Sequence, residues 1–393
     1  MQVLVVGAGV TGLMTAYALF SRGIHVTILE GRSSPCQGAS YSCSGLIGEA
    51  TPLLLSSPET SLLGSQSQVV YGPGLLFQHP IFARLMKKSR AADRFAELTA
   101  LAQTFSQTSI EWFRQHAKTE GFQLQESAGT LIAQSPKAKK AEGAEEIPLS
   151  SWLQIEPSLY ALAPETALQM SRSVSWSISY FAKQLKEWLI EHDVPIKNNQ
   201  TVTGFVMEAG RCTGVKTASD TLSADAVIVA AGLGALPLLK AAKVKLPVLP
   251  LTRCVLNTTL FSDATRIRHS VIDPEGFLLS PLEDFLRVQG RWYIGEEGDF
   301  DRNAEYRALW EVGMKYFPDI GDWKNARYFS QTILTTPDTL GVVGESGVPG
   351  LWLNVAGGIH GGDFAPYYAE TLAALLAGET PEHAAVLSAK RFQ

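Results

Sequence analysis

The sequence reads Gly7-Ala8-Gly9-Val10-Thr11-Gly12, three glycines spaced GxGxxG. At such a turn the first glycine permits a tight bend. The second lets backbone N–H groups approach a pyrophosphate, and the third lets a helix pack closely on a strand. The flanks are of the right kind. Residues 3–6 are an apolar, mostly β-branched run suited to a buried parallel strand, residues 13–22 read as a helix, and residues 26–30 read as a second strand. Glu30 ends that second strand, 30 − 12 = 18 residues past Gly12, where a carboxylate can accept hydrogen bonds from ribose hydroxyls. The glycines alone would be a weak signal. Strand, turn, helix and terminal acid together predict a dinucleotide site, to which Gly31 and Arg32 also belong as the residues that follow the acid.

Other chemistries find little support. No Gly-x-Ser-x-Gly elbow is present for a serine nucleophile. No His, Cys or carboxylate group has metal-ligand spacing, and Cys36, Cys43, Cys212 and Cys254 form no CxxC pair, so no metal is expected. The net charge is 33 − 38 = −5 with no long basic run, which argues against nucleic acid. With 393 residues, 46 % apolar and 18 % charged, the chain is long enough for two or three globular domains. Residues 3–20 carry no charge, but the three glycines interrupt them and no basic residue precedes them. They therefore read as the strand–turn–helix and not as a membrane span or secretory signal. Asn199-Gln200-Thr201 and Asn257-Thr258-Thr259 are chance glycosylation matches in a chain expected to be cytoplasmic.

The elements that must position the turn follow from the pattern further along. Residues 35–80 are rich in Gly, Ser and Pro and read as extended loops around a ligand. Residues 84–120 read as helical, 137–146 as a solvated, alanine-rich charged segment, and 177–193 as an amphipathic helix with Phe181, Leu185, Trp188 and Leu189 on one face. A hairpin over 202–208 and 211–217 turns at Ala209-Gly210. Residues 225–231 form a further buried strand, 248–294 several antiparallel strands, and 351–355 a last strand. That strand leads into Gly357-Gly358 and a helix over 366–377. No internal repeat is evident.

An acid at the end of the second strand suits both NAD and FAD. The position of the glycine motif at residue 7, a downstream strand ending in Ala230-Ala231-Gly232, and a glycine-rich turn within 351–362 favour FAD. Taken with Gly38-Ala39-Ser40 through Gly45, Thr336-Pro337-Asp338, and residues 341–344 and 348–355, the sequence resembles a known superfamily. It is that of the FAD-dependent amine and amino-acid oxidoreductases related to D-amino-acid oxidase, in the branch of D-amino-acid dehydrogenase small subunits, glycine oxidases and sarcosine oxidases. The resemblance runs over nearly the whole chain.

It implies an α/β fold with a discontinuous, Rossmann-like FAD-binding domain over 1–80, 150–240 and 330–393. A second, α+β substrate domain with a mostly antiparallel sheet would cover 81–149 and 241–329. Gly7, Gly9 and Gly12 would face the pyrophosphate, Glu30 the ribose, and Ser40 the pyrophosphate and flavin. Val202 would hold the adenine through its backbone, Ala231 and Gly232 would line the cofactor, and Gly358, Gly361 and Gly362 would stabilise negative charge on the reduced flavin. The implied chemistry is hydride transfer to flavin from a carbon bearing an amine, giving an imine that water hydrolyses. Electrons would leave to oxygen, a quinone or a partner protein. A homo-oligomer or hetero-complex stays open, as does a peripheral place on the inner face of a membrane, although no basic amphipathic helix is evident in the sequence.

The departures fall on the substrate side. The arginine that clamps a substrate carboxylate in such enzymes is replaced by Ile333, with Gln331 nearby. Gly357 stands where a histidine is usual and His360 follows three places later; Arg253-Cys254 replaces a Gly-Gln pair that follows a basic residue. His360 and Arg253 are the catalytic candidates. Arg84, Arg266, Arg268 and Arg287 are weaker candidates for a clamp, Trp292 and Tyr293 for packing on substrate, and Cys43 for a thiol role or covalent link. These departures keep two alternatives open: a catalytically altered FAD-binding subunit of a larger dehydrogenase complex, and a 2-hydroxy acid dehydrogenase.

Overall fold

The strand Gln2–Val6 lies between two parallel neighbours, His25–Leu29 on one side and Ala226–Val229 on the other. In this computed structural model, which describes residues 1–48, 69–71, 75–134, 145–147, 149–162, 167–261, 267–282 and 284–393, the sheet continues with Leu351–Val355 parallel to Ala226–Val229. Val342–Glu345 is its antiparallel edge, and Ile196–Lys197 forms the other edge. Both faces are covered, which is why its strands are apolar nearly throughout. Helices Val10–Phe20, Ile178–Glu191 and Ala365–Leu376 fill one side with Leu13, Phe181 and Leu372. The hairpin Val202–Glu208/Arg211–Thr217 and helix Ala235–Ala241 cover the other with Phe205, Val215 and Leu238.

A larger sheet is organised around Leu249–Thr259. That strand pairs antiparallel with Arg327–Thr335 from Leu249↔Thr335 to Asn257↔Arg327, and also with Phe285–Gln289 and Trp292–Ile294. The sheet is mostly antiparallel, with parallel pairings between Ser270–Ile272 and Ser127–Gln134 and between Trp292–Ile294 and Val69–Tyr71. Stretches 46–47, 69–71 and 167–175 also lend it strands. Its register decides which side chains share a face. Arg253 stands opposite Gln331, Val255 opposite Gln289, and Asn257 opposite Arg287, so with a period of two these polar groups project from one side. The other side rests on helix Arg302–Tyr316 through Cys254, Leu256, Val288 and Leu309.

Some expectations change in detail. The helical region over 84–120 is two helices, Pro80–Ser89 and Ala92–Glu120. The first begins four residues earlier than expected because Pro80 occupies the opening turn, where its missing N–H costs nothing. Of the expected solvated segment 137–146, residues 137–144 lie outside the described residues, and Glu145–Ile147 is a strand. Within 35–80, residues 49–68 and 72–74 lie outside the described residues. The rest is more ordered than extended loops, with a 3-10 turn at Ala39–Ser42, strands Leu46–Ile47 and Val69–Tyr71, and helix Leu75–Gln78.

Candidate functional site

The glycine turn is tight for a steric reason. Gly7 has φ +105°, and a Cβ there would lie 2.6 Å from the Ala230 carbonyl oxygen, while a Cβ on Gly12 would overlap the Gly7 carbonyl oxygen. At Gly9 an added Cβ would meet only the Ser40 hydroxyl, at 3.2 Å. Helix Val10–Phe20 starts at Gly9 without a side-chain cap, and Val10 N–H donates to Ser40 Oγ at 2.9 Å. An uncapped helix start leaves N–H donors and a partial positive charge for an anion. Glu30 reaches back to the same turn. Its Oε2 accepts from Ala8 N–H at 2.7 Å and its Oε1 from Arg32 N–H at 2.9 Å. This donor set fits the phosphates and ribose of FAD, with a carboxylate beside an open glycine.

The remaining cofactor candidates divide into groups. Gly31 packs on Thr201, where a Cβ would come within 2.9 Å of Oγ1, beside the buried Val202. Ala231 and Gly232 follow Ala230 over Gly7, and Gly232 has φ +54° with open space around it. Arg32 is exposed and donates to the Gln37 carbonyl of its own loop. At the last turn Gly358 has φ +61°, Gly361 lies against Gly357, and a Cβ on Gly362 would come within 2.7 Å of Cys43 Sγ. The turn at 358–362 and the loop at 39–43 are thus in contact.

His360 is buried, stacks on Phe364 with ring centroids 4.6 Å apart, and sets Nδ1 3.0 Å from Asp363 Oδ2. Its Nε2 is buried without a partner. Burial pushes the Asp363 carboxyl up, against the pull of His360. Asp363 was missed in the sequence, though its place three residues after His360 in one turn was a usable signal.

Above loop 39–43 lies the polar face of the larger sheet. Gln331 Nε2 donates to Ala39 O at 3.0 Å, Gln289 Nε2 to Ser42 O at 2.7 Å, and Arg287 Nη1 to Cys43 O at 3.0 Å. Arg287 also donates from Nε to Asn257 Oδ1 at 3.1 Å, and its Nη2 is buried without a partner. Arg253 is 7 % exposed, lies over the Trp292 ring at 4.2 Å and donates from Nε to Gln331 Oε1 at 2.7 Å, its one hydrogen bond among the described residues. Its terminal nitrogens are therefore uncommitted. Neither arginine has a carboxylate partner among the described residues. Burial pushes Arg253 down to about 9, with Arg287 adding to the shift and Cys43 opposing it, and burial pushes Arg287 down to about 10. Two buried cations thus stand on one face, where they could hold an anion. Cys43 feels Arg253, Arg287 and Asp363 together, and burial raises its thiol, which keeps it protonated.

Other candidates fall away from this face. Tyr293 points to the opposite side, where it stacks on Phe300 at 4.0 Å and donates to Glu305. The difference is one of register: neighbours in a strand face opposite ways, and Trp292 takes the site side. Arg84 and Arg268 are exposed, and Arg266 lies outside the described residues. Ile333 pairs with Leu251 and packs in an apolar cluster with Trp292 and Phe82, so the position where the resemblance expects a clamp is apolar, while Arg253 stands on the adjacent strand opposite Gln331. Gln289, Gln331 and Asn257 were not singled out in the sequence as site groups. An open cleft of about 720 Å³ lies apart from these residues, between the start of helix Pro80–Ser89, residues 243–249, 346–348 and 392–393. Among the described residues no His, Cys or carboxylate group is arranged to hold a metal, and no helix is long and apolar enough to cross a membrane.

Residues 2–375 match the family described as FAD dependent oxidoreductase. The chain is 27 % identical over 429 aligned positions to D-amino acid dehydrogenase 2 of Ralstonia nicotianae, covering 98 % of each protein. It is similar in structure to glycine oxidase from Geobacillus kaustophilus, with a TM-score of 0.70, 18 % identity, and 99 % of this chain and 98 % of that one covered. L-proline dehydrogenase from P. horikoshii gives a TM-score of 0.68 at 19 % identity, over 100 % and 97 % of the two chains.

Proposed function

The chain belongs to the family of FAD-dependent oxidoreductases, and from that premise we propose that it oxidises the C–N bond of an amino acid or a related primary or secondary amine that carries a carboxylate. The observation that carries this reading is Arg253, a buried guanidinium whose terminal nitrogens have no hydrogen-bond partner, and which has no acid beside it, among the described residues. Relatives named D-amino acid dehydrogenase over nearly the full chain length support the substrate class.

FAD, when bound, supplies the two-electron acceptor for the hydride lost from the carbon that bears the amine. The substrate reacts as the neutral amine, its ammonium proton lost to solvent, so that loss of the hydride leaves a C=N iminium. Water then adds to the imine, leaving a carbonyl compound and ammonia or the free amine. The phosphates would rest on the turn Gly7, Gly9 and Gly12 with Ser40, the ribose on Glu30, and the adenine beside Val202. Residues 231–232, 358 and 361–362 would line the flavin.

Arg253 binds and orients the substrate carboxylate. Its own orientation is fixed by the bond from Nε to Gln331 and by the face of Trp292. Gln331, Gln289 and Arg287 tie the sheet to loop 39–43 and keep water from that edge. Arg253 thus takes the place that Ile333 has vacated.

The test is anaerobic titration of the FAD-loaded protein with D- and L-amino acids, proline analogues, N-methylglycines and 2-hydroxy acids, each acid paired with its decarboxylated analogue. Bleaching of the flavin band by amine-bearing acids is expected, with the analogues slower by roughly a hundredfold. No bleaching by any amine, bleaching by hydroxy acids alone, or equal rates with the analogues would overturn the reading. Reoxidation by oxygen, a soluble quinone or an added partner protein then separates the acceptors.

A further inference from the structure

Among the described residues the two most exposed large apolar side chains are Phe77 and Ile81, with 87 % and 62 % of their surface in solvent. They stand four residues apart at the junction of helices Leu75–Gln78 and Pro80–Ser89. Helical spacing continues from Ile81 to Arg84 and Lys88, both exposed. The opposite side of the longer helix is fixed in place. Phe82 and Met86 are buried in the cluster that holds Trp292, and Ser89 Oγ donates to Pro337 O at 3.0 Å. Across the cleft at the start of this helix lie Lys243 and Lys245, both exposed.

The charge is one-sided. The chain carries −5 overall, yet no Asp or Glu occurs over residues 60–92 or 226–262, the two stretches that supply these residues. We propose that this face docks on an anionic lipid surface, with Phe77 and Ile81 entering the headgroup–acyl boundary and Arg84, Lys88, Lys243 and Lys245 meeting the headgroups. Apolar groups that protrude at the start of an anchored helix, with long cations beside them, suit a soft anionic layer into which they can sink. Helix Pro80–Ser89 thus shows exposed Arg84 and Lys88 beside Ile81 while its Phe82 and Met86 pack in the core, and it begins before residue 84. The inference rests on this surface and stands apart from the substrate assignment.

The test is co-sedimentation of the FAD-loaded protein with vesicles of equal parts phosphatidylglycerol and phosphatidylcholine, and with phosphatidylcholine alone, at about 0.02 M and about 0.2 M salt. Binding to the anionic vesicles that weakens with salt is expected, with little binding to the neutral ones. Phe77→Ser with Ile81→Ser should lower the partition coefficient at least roughly tenfold. Lys243→Glu with Lys245→Glu should lower it by about fivefold or more per charge. Trp310→Ser, at an exposed tryptophan on another helix, should bind as the parent does. Flavin content and thermal melting show that each variant is folded. Failure to bind anionic vesicles at low salt, or unchanged binding by the Phe77/Ile81 variant, overturns the proposal, including the case in which the face docks a protein instead.

Discussion

Replacing Arg253 by methionine should separate activity from stability, because the residue serves one at the expense of the other. Two terminal nitrogens have no partner among the described residues and are placed for a carboxylate. Charge-assisted hydrogen bonds contribute about 1.5–3 kcal/mol each. Allowing for partial replacement by water and for the remaining field of Arg287, a loss of about 3–4 kcal/mol of transition-state binding is expected, or roughly a 10²- to 10³-fold fall in kcat/KM. Stability should respond differently. The variant loses the hydrogen bond to Gln331 and the contact with Trp292, together about 2–3 kcal/mol. It also loses the cost of keeping a cation buried without a counter-charge, the cost that pushes Arg253 down to about 9 and amounts to several kcal/mol in order of magnitude.

The Arg253→Met protein should therefore melt within about 2 °C of the parent or above it, while rapid-mixing anaerobic reduction shows the loss of rate and affinity. Arg253→Lys, a point charge without the fork, should recover about tenfold of the lost activity. The decarboxylated amine should react no worse with the methionine variant than with the parent. A methionine variant that is fully loaded with FAD and keeps kcat/KM within threefold of the parent would refute the assignment of Arg253 as the clamp.

The glycine turn and a distant carboxylate give further tests. Gly12→Ala places a methyl on the Gly7 carbonyl oxygen, so loss of both FAD and soluble expression is expected. Gly9→Ala meets only a hydroxyl at 3.2 Å, and should fold but bind FAD roughly ten- to a hundredfold more weakly by fluorescence titration. Glu156 is fully buried; burial pushes its carboxyl up, but bonds from His269, Ser158 and the Arg268 N–H outweigh this and hold it below its ordinary value of 4.5. Because the folded-state pKa is depressed, that stabilisation is present above pH 4.5 and lost as pH falls through the lowered value. Glu156→Gln should cost about 2–3 kcal/mol in urea unfolding at pH 7, with the gap closing below the ordinary value. Burial raises Cys36 and Cys254 to about 12 and Cys43 upward as well, so native protein at pH 8 should react with a thiol reagent far more slowly than urea-unfolded protein.

The nucleotide-facing half of this site was legible because its signals are local. Strand, glycine turn, helix and Glu30 fall within thirty consecutive residues, and each has a backbone or hydrogen-bonding reason to be where it is. The roof was legible only as separate candidates, not as one arrangement. Arg253, Arg287 and Gln331 come together only through the pairing of Leu249–Thr259 with strands about 30 and 80 residues downstream, and a shift of one residue would turn each side chain to the other face. Tyr293 illustrates this: its neighbour Trp292 faces Arg253, while Tyr293 itself faces Glu305. Helix Pro80–Ser89 was expected only from residue 84 and as one with Ala92–Glu120, because Phe82 and Met86, which serve the core, mix in sequence with Phe77 and Ile81, which do not.

The parallel sheet also dictates a timetable for the ribosome. Gln2–Val6 cannot gain its second neighbour until residues 226–229 emerge. Helix Val10–Phe20 waits for its packing partner Ala365–Leu376, through about 345 further residues (365 − 20). At roughly 5–20 residues per second the wait is roughly 20–70 s. Until then the helix has only its sheet and, once residues 112 and 188 are made, the rings of Trp112 and Trp188 against Tyr17. The nucleotide-binding helix is therefore made long before the helix that completes its packing.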